Sequence, residues 1–413
     1  MIKRLFRIIF FLLIYLSGAL GAYRATRKAR WGVVTAPRIL LIRPDHLGDV
    51  VLATPVLHAL RERIPEAHIT MMVGPWSYDV VKNHPDIDDF IICPFPGLQR
   101  STKKSVASYT LLLRTTGKLQ SGDYDLAINL HSGYPDYWWG AVLTFLACIP
   151  RRLGYAHQPD TLFLTHTLTS QTTQHVTVSN LRLISMGLQL LGYSPLDEPY
   201  TYERYPLYFV PTQEEHQWVT TRLEEAGIDT TSTVVVIHPG TGAAVKLWRT
   251  EAWTACADTC ASLHPHTSTH VILTGSRHER PMLEEIAKRM ISRPLLITDT
   301  TIGQLAALLH KAELVLGVDN GPLHLATALD TPTIRIFGPT HPTVFGPWGS
   351  LERHRIVTSM HRCSSCLSLP CGRLYFSPQE LTERVCVKTI KEQEVQRIIV
   401  STIEDNEYIS VSK

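Results

Sequence analysis

Residues 314–329 read LVLGVDNGPLHLATAL. An apolar strand, Leu314–Val318, runs into the turn Asp319-Asn320-Gly321, and Pro322 opens an apolar helix. Proline suits a first helical turn, where its missing N–H costs nothing. Such a turn leaves free backbone N–H groups at the positive end of a helix, with little side-chain bulk over them. It is a place to hold a phosphate. Two more segments share the grammar. Val234–His238 leads into Pro239-Gly240-Thr241-Gly242, followed by Lys246 and Trp248, and Arg38–Arg43 leads into a turn ending at Gly48-Asp49. Strand–turn–helix repeated in this way points to two α/β domains with parallel sheets.

The chain has 413 residues and is 44% hydrophobic, enough for two full cores. A formal charge of +3 hides an asymmetry. Residues 1–30 carry seven basic side chains and no acidic one, so the other 383 carry 33 basic against 37 acidic. That balance excludes a nucleic-acid-binding globular part on charge grounds. The basic end brackets an apolar run, Ile8–Tyr23. As a helix that run reaches about 24 Å, short of the roughly 30 Å hydrocarbon core. A short anchor with snorkelling arginines, a helix lying on an anionic lipid face and a cleaved leader are three readings of it. Arg24–Arg30 is a poor export flank, which favours attachment to the cytoplasmic face of the membrane.

The alternation sets the domain plan: residues 1–36 a basic, apolar membrane-associating segment; 37–210 an N-terminal Rossmann-like domain; 211–395 a C-terminal Rossmann-like domain; 396–413 a tail. In the first half, strands are expected at Arg38–Arg43, His68–Val73, Phe90–Cys93 and Tyr124–Leu130. In the second half they are expected at Val234–His238, His270–Thr274, Pro294–Thr298, Glu313–Val318 and Thr333–Phe337. Arg204-Tyr205-Pro206 and Pro211 break the chain ahead of a helix at Glu214–Glu225.

Each polar candidate has two readings. Asp49, past the first strand, is either a base able to take an alcohol proton or a plain helix-capping acid. Lys246 can reach phosphate oxygens, although taken alone it reads as a solvated lysine. Glu279, past the strand at His270–Thr274, can bind ribose hydroxyls or act as a first-turn helix acid. His324, one turn into its helix, faces a ligand or the core. Gly240-Thr241-Gly242-Ala243-Ala244-Val245 has valine where a dinucleotide fingerprint needs its third glycine, and no G-x-x-x-x-G-K-[ST] occurs. The triplets Asp86-Ile87-Asp88 and Asp123-Tyr124-Asp125 read as turn chemistry rather than metal ligands. His131, Tyr134, Asp136, Arg151 and Arg152 are candidates to meet acceptor anions, or ordinary surface groups. Cys363-x2-Cys366-x4-Cys371-x14-Cys386 has the look of a four-thiolate site, and zinc, a reducible disulfide pair and unpaired thiols all stay open.

Together RILLIRPDHLGDVVLATPVLHAL, HPGTGAAVKLWRTEAW, LTGSRHE and GVDNGPLHLATALDTPTIRIFGPT resemble glycosyltransferase family 9, the heptosyltransferases of the lipopolysaccharide inner core, over residues 37–395. The C-terminal cysteine pattern also recurs in relatives. The resemblance implies an α/β, GT-B fold, with two Rossmann-like domains facing across a cleft, here preceded by a short N-terminal apolar helix. It implies an inverting, metal-independent transfer from ADP-heptose to a lipid-linked saccharide, with no required cofactor; a structural zinc at the cysteines is one of the open readings of their spacing. By resemblance Asp49 is the general base, and Lys246 offsets charge on the departing ADP. Thr241, Gly242 and Lys246 contact the diphosphate, and Glu279 the adenosine ribose. Asp319, Asn320, Gly321 and His324 hold the donor sugar and phosphates; relatives often carry Thr or Ser in place of Asn320. Alternatives are a transferase using another nucleotide sugar, a non-catalytic sugar-nucleotide-binding module, and an NAD(P)-dependent oxidoreductase, against which the failed glycine fingerprint argues.

Overall fold

In a parallel sheet covered on both faces, strands read as continuous apolar runs, and the run at residues 39–42 is buried to within 2% exposure throughout. The computed structural model describes residues 2–29, 32–95, 98, 106–130, 138–156, 160–171, 173–263, 268–359 and 385–411. Two units, Met1–Tyr205 and Pro206–Lys413, each hold one six-stranded sheet. The first contains β1 (Arg38–Arg43), β2 (His68–Val73), β3 (Asp89–Ile92), β4 (Leu126–Asn129), β5 (Arg151–Tyr155) and β6 (His166–Leu168), in the order β3-β2-β1-β4-β5-β6. The second contains β7 (Thr233–His238), β8 (Thr269–Thr274), β9 (Leu295–Ile297), β10 (Leu314–Val318), β11 (Thr333–Phe337) and β12 (His354–Thr358), in the order β12-β11-β10-β7-β8-β9. All pairings are parallel.

Read from opposite edges, the two orders are the same. Each unit starts at the middle of its sheet, walks to one edge, and returns to build outward from the other side of its first strand. The reversal points lie between β1 and β4 and between β7 and β10. Doubly wound sheets bind ligands past the carboxyl ends of strands at such points.

The N-terminal helix differs in extent from its expectation. It spans Ile2–Lys28, 27 residues, because the flanking lysines and arginines are themselves good helix formers. One side packs on the helix Trp139–Leu146. Ile14, Ala19 and Ala22 join Ala141, Val142, Phe145 and Phe163 in one cluster, and Tyr15 stacks on Phe145 with ring centroids 5.6 Å apart. A Cβ on Gly18 would meet Phe145 at 2.5 Å, so this glycine permits the close approach. The opposite side leaves Leu12, Leu13, Leu16, Leu20 and Tyr23 exposed. Among the described residues, no helix is long and apolar enough to cross a membrane.

At the other end, residues 396–411 continue the helix Glu392–Val411. Val395, Ile399 and Ile403 bury themselves in the second unit's core beside Trp253, Cys256 and Cys260, each side chain contributing on the order of 2 kcal/mol. Gln396 Nε2 donates to Thr259 Oγ1 at 2.8 Å, and Arg249 pairs with Glu392 at 2.7 Å.

Candidate active site

The second unit's reversal point gathers most of the sequence candidates. β10 delivers Asp319, and Asn320 caps the helix Gly321–Ala328, with Pro322 in its first turn. Asn320 Oδ1 accepts from Leu323 N at 3.1 Å, while Nδ2 donates to the carbonyls of His238 and Gly240 at 3.3 and 2.8 Å. Gly317 must be a glycine. A Cβ there would meet the His238 carbonyl at 2.7 Å and Leu323 at 2.4 Å, so only a bare backbone lets β10, β7 and the helix close together.

Past β7, Lys246 ends the short 3₁₀ turn Ala244–Lys246. Its Nζ lies 2.6 Å from Asp319 Oδ2 and donates to the Asp319 carbonyl at 3.3 Å. Thr340 Oγ1 donates to the same carboxylate oxygen. Burial alone would raise the Asp319 carboxyl, but the Lys246 charge and His324 beside it hold it well below the usual carboxylate range. The carboxylate therefore stays charged, and the Lys246 ammonium beside it is aimed at the turn. Thr241 Oγ1 accepts from Ala243 N at 3.4 Å, and Gly242 is exposed at the head of the same loop.

Glu279 follows β8. Its carboxylate accepts from Ser276 N at 2.7 Å and from Ser276 Oγ at 2.8 Å in a capping box. It also lies over Gly240, where a Cβ would meet Oε1 at 2.1 Å. The sequence left helix acid and ligand acid as alternatives; the structure shows a capping acid whose carboxylate sits against the Gly240 loop.

His324 is buried. Its Nδ1 lies 3.1 Å from Arg335 Nη1 and its Nε2 3.8 Å from Asp319 Oδ1. Burial first, then the Arg335 cation, push it down to about 4, so the ring is neutral near pH 7. Arg335, on β11, is fully buried, and burial pushes it down to about 9. The sequence reading passed over it. Its signal was a charge inside the apolar strand TIRIF.

In the first unit, Asp49 lies in the first turn of the helix Leu47–Val51, whose N-cap residue His46 makes no side-chain cap bond. Arg43, at the end of β1 and 2% exposed, lies beneath it. Its Nη2 is 3.5 Å from Asp49 Oδ1 and its Nε 3.3 Å from Asp45 Oδ2, and it donates to the Leu130 carbonyl beyond β4. Arg43 was also passed over in sequence, for the same reason.

Other candidates fall elsewhere. Arg152 Nε donates to the Phe163 carbonyl at 2.7 Å and the side chain is buried, so it is committed to backbone rather than to an anion. Arg151 is buried in β5 as well. Asp88 and Asp125 accept from the main-chain N–H of Ile69 and Arg38, at 2.7 and 2.9 Å, the strand-start role that turn chemistry predicts. His131, Tyr134, Asp136, Cys363, Cys366 and Cys371 lie outside the described residues. Cys386 is buried in the second unit's core. Among the described residues, no group of three or more His, Cys, Asp or Glu could hold a metal ion.

Chains of known identity share this architecture. The family model for glycosyltransferase family 9 (heptosyltransferase) matches residues 112–373. Lipopolysaccharide heptosyltransferase 3 of Escherichia coli is 26% identical over 311 residues, spanning 73% of this chain and 84% of its own length. The crystal structure of a family 9 glycosyltransferase from Veillonella parvula matches with a TM-score of 0.73 at 21% identity, covering 91% of this chain and all of its own. The Escherichia coli heptosyltransferase WaaC, solved with ADP, matches with a TM-score of 0.64 at 18% identity, covering 88% of this chain and 99% of its own. The family match spans more than half of the sequence and includes the Lys246 loop and the Asp319 turn, so the chain belongs to glycosyltransferase family 9 and is a glycosyltransferase of GT-B fold.

Proposed function

We propose that this chain moves a heptose from ADP-heptose to a lipid-linked saccharide of the lipopolysaccharide inner core, with inversion and without a metal ion. The observation that carries the reading is the Lys246–Asp319 pair, 2.6 Å long, at a helix N-terminus that follows the order reversal of the second sheet. A fixed cation beside the Gly321 N–H, at the positive end of a helix, suits a diphosphate leaving group. In this reading Thr241, Gly242 and Lys246 contact the diphosphate, Glu279 the adenosine ribose, and Asp319, Asn320, Gly321 and His324 the donor sugar and phosphates. Of these, Gly321 contributes main-chain N–H, and Asp319 acts by orienting Lys246.

An inverting displacement needs a base on the acceptor oxygen and charge stabilisation on the leaving oxygen. Asp49, open to solvent on one side and steadied by Arg43, takes the proton from the acceptor hydroxyl. That oxygen attacks the anomeric carbon, the bond to the ADP oxygen breaks, and Lys246 with the Gly321 N–H takes up the charge. Support for heptose and ADP comes from the names of relatives: lipopolysaccharide heptosyltransferase 3, and a heptosyltransferase solved with ADP.

The N-terminal helix attaches the enzyme to the cytoplasmic membrane face. Its back is fixed to the helix Trp139–Leu146, and its outer face presents Leu12, Leu16, Leu20 and Tyr23. Arg24 and Arg27 are exposed at one end, and the sequence places Lys3, Arg4 and Arg7 at the other. An apolar stripe flanked by cations suits an anionic lipid surface entered in plane.

Isothermal titration with ADP, UDP, GDP and NAD tests the donor. ADP alone should bind, and Lys246→Ala should weaken it about tenfold or more, as loss of a charge-assisted bond does. Preference for UDP or GDP would overturn the donor and leave the fold standing. Selective NAD binding would reject the transfer reaction.

A further inference from the structure

Arg335 is a fully buried guanidinium that the transfer mechanism above does not use. Among the described residues no carboxylate lies within ion-pair distance of it, and its partners are neutral. Nη1 faces His324 Nδ1 at 3.1 Å, Nη2 donates to the Leu323 carbonyl and to Thr327 Oγ1, and Nε donates to Thr333 Oγ1 at 3.4 Å. A buried cation without a paired anion costs several kcal/mol or more. Two of its partners and His324 itself belong to the helix that starts at the Asp319 turn.

A guanidinium has five donors and no acceptor, so the His324 nitrogen facing it must offer a lone pair. Nδ1 is then bare, and in a neutral ring Nε2 carries the hydrogen. Nε2 is the nitrogen that faces Asp319 Oδ1. We propose that Arg335 is a positioning residue for the donor side: it holds His324 as the Nε2–H tautomer and ties the helix behind it, so that a hydrogen-bond donor, not a lone pair, faces the Asp319 carboxylate. Without that lock the Nδ1–H form would turn a lone pair toward the carboxylate and push it off Lys246. This rests on the reading of the Asp319 turn as the donor site.

The charged and titratable groups around His324 are Asp319, at the end of β10; Lys246, from the loop after β7; and Arg335, on β11. His354, on β12, shares Thr333 with Arg335, Thr333 Oγ1 lying 3.2 Å from His354 Nδ1, and after burial the Arg335 charge helps push His354 down. Replacing Arg335 removes the positive neighbour that helps keep His324 neutral, so the ring should accept a proton at higher pH than in the parent protein.

Four measurements on the full chain decide the matter. Long-range ¹H–¹⁵N spectra of the histidine rings should show His324 as Nε2–H at pH 7; an Nδ1–H ring would overturn the proposal whatever any variant does. Arg335→Lys keeps the charge and loses the fork. It should raise the KM for ADP-heptose about tenfold with a smaller change in kcat, to the same extent at pH 8 and pH 6; Arg335→Gln, which also removes the positive neighbour, should make that KM change between pH 8 and 6, where the parent is flat. In a double-mutant cycle, Arg335→Lys should add less than about a threefold loss on a His324→Gln background. Multiplying losses would mean that Arg335 does not act through His324. Lys246→Ala separates the two readings. If it weakens ADP binding while Arg335→Lys leaves binding and KM unchanged, only this inference fails. If neither substitution affects ADP, the donor-site reading fails and takes this one with it.

Discussion

Asp49 and Asp319 each lie past a strand that borders the order reversal of its sheet, on opposite sides of it: β1 in one unit, and in the other β10, the counterpart of β4. Their surroundings differ. The Asp49 side chain keeps 34% of its surface and has the Arg43 guanidinium 3.5 Å away; that of Asp319 keeps 5% and has an ammonium at 2.6 Å. An open carboxylate with a loose partner can exchange a proton with substrate, whereas a closed one with a tight partner serves to aim that partner. The residue type and its place at a strand end were the same signal twice, and burial is what divides the proposed base from the proposed anchor.

The sharpest way to break this contrast is Asp49→Asn. Turnover should fall by about 10²–10⁴-fold, the usual range for a general base, with ADP affinity by titration unchanged; near-wild-type turnover would sink the base assignment. Asp319→Asn should act on the fold instead. Leaving Lys246 without its counter-charge should lower urea stability by about 3 kcal/mol, while Asp49→Asn stays within about 0.5 kcal/mol of the parent. Equal effects on stability would erase the distinction.

Acid should expose the same difference. The folded-state pKa of His324 lies below its unfolded value of about 6.5. Neutral His324 therefore favours the fold: the contribution is whole above about pH 6.5, is lost as pH falls toward 4, and amounts to about 3 kcal/mol by linkage. The Asp319 carboxyl is depressed, so its contribution is present above about pH 4 and is lost below it. Urea midpoints should decline first between pH 6.5 and 4, then again below 4; a flat profile down to pH 4 would contradict the buried, neutral histidine. The mildest expected effect is at the N-terminal helix. Leu16→Ser with Leu20→Ser should reduce flotation with anionic vesicles about tenfold, by removing apolar area, and should leave turnover on a soluble acceptor unchanged. Retained flotation would remove the outer face from the membrane reading.

The central strands were legible because burial on both faces demands unbroken apolar runs, as in RILLIR and TVVVIH. The edges were not. β6 is three residues long and partly exposed, and β5 is RRLGY, whose arginines read as surface charge until both prove to be buried. The site divides along the same line. Turns made of Gly, Pro, Asn and Asp announce themselves locally, so Asp49, Gly240 and Asp319 stood out. Arg43 and Arg335 did not, because their role depends on what neighbouring strands bring to them: the Leu130 carbonyl beyond β4 for Arg43 and His324 for Arg335. Which side of the N-terminal helix would pack was equally hidden, since Gly18 acquires meaning only beside Phe145.

The Asn320 amide has a mechanical consequence. With one side chain it caps a helix and grips two carbonyls at the end of β7 and in the loop beyond. The loop that carries Lys246 and the helix that opens at Gly321 are thereby spliced, and a pull on either is felt by the other. A serine or threonine hydroxyl could cap the helix but has a single proton to give, and would leave at least one of those grips open. A ligand touching both segments would thus meet one stiff jaw rather than two loose fingers, and the spacing between its two contact points is set by the length of an amide.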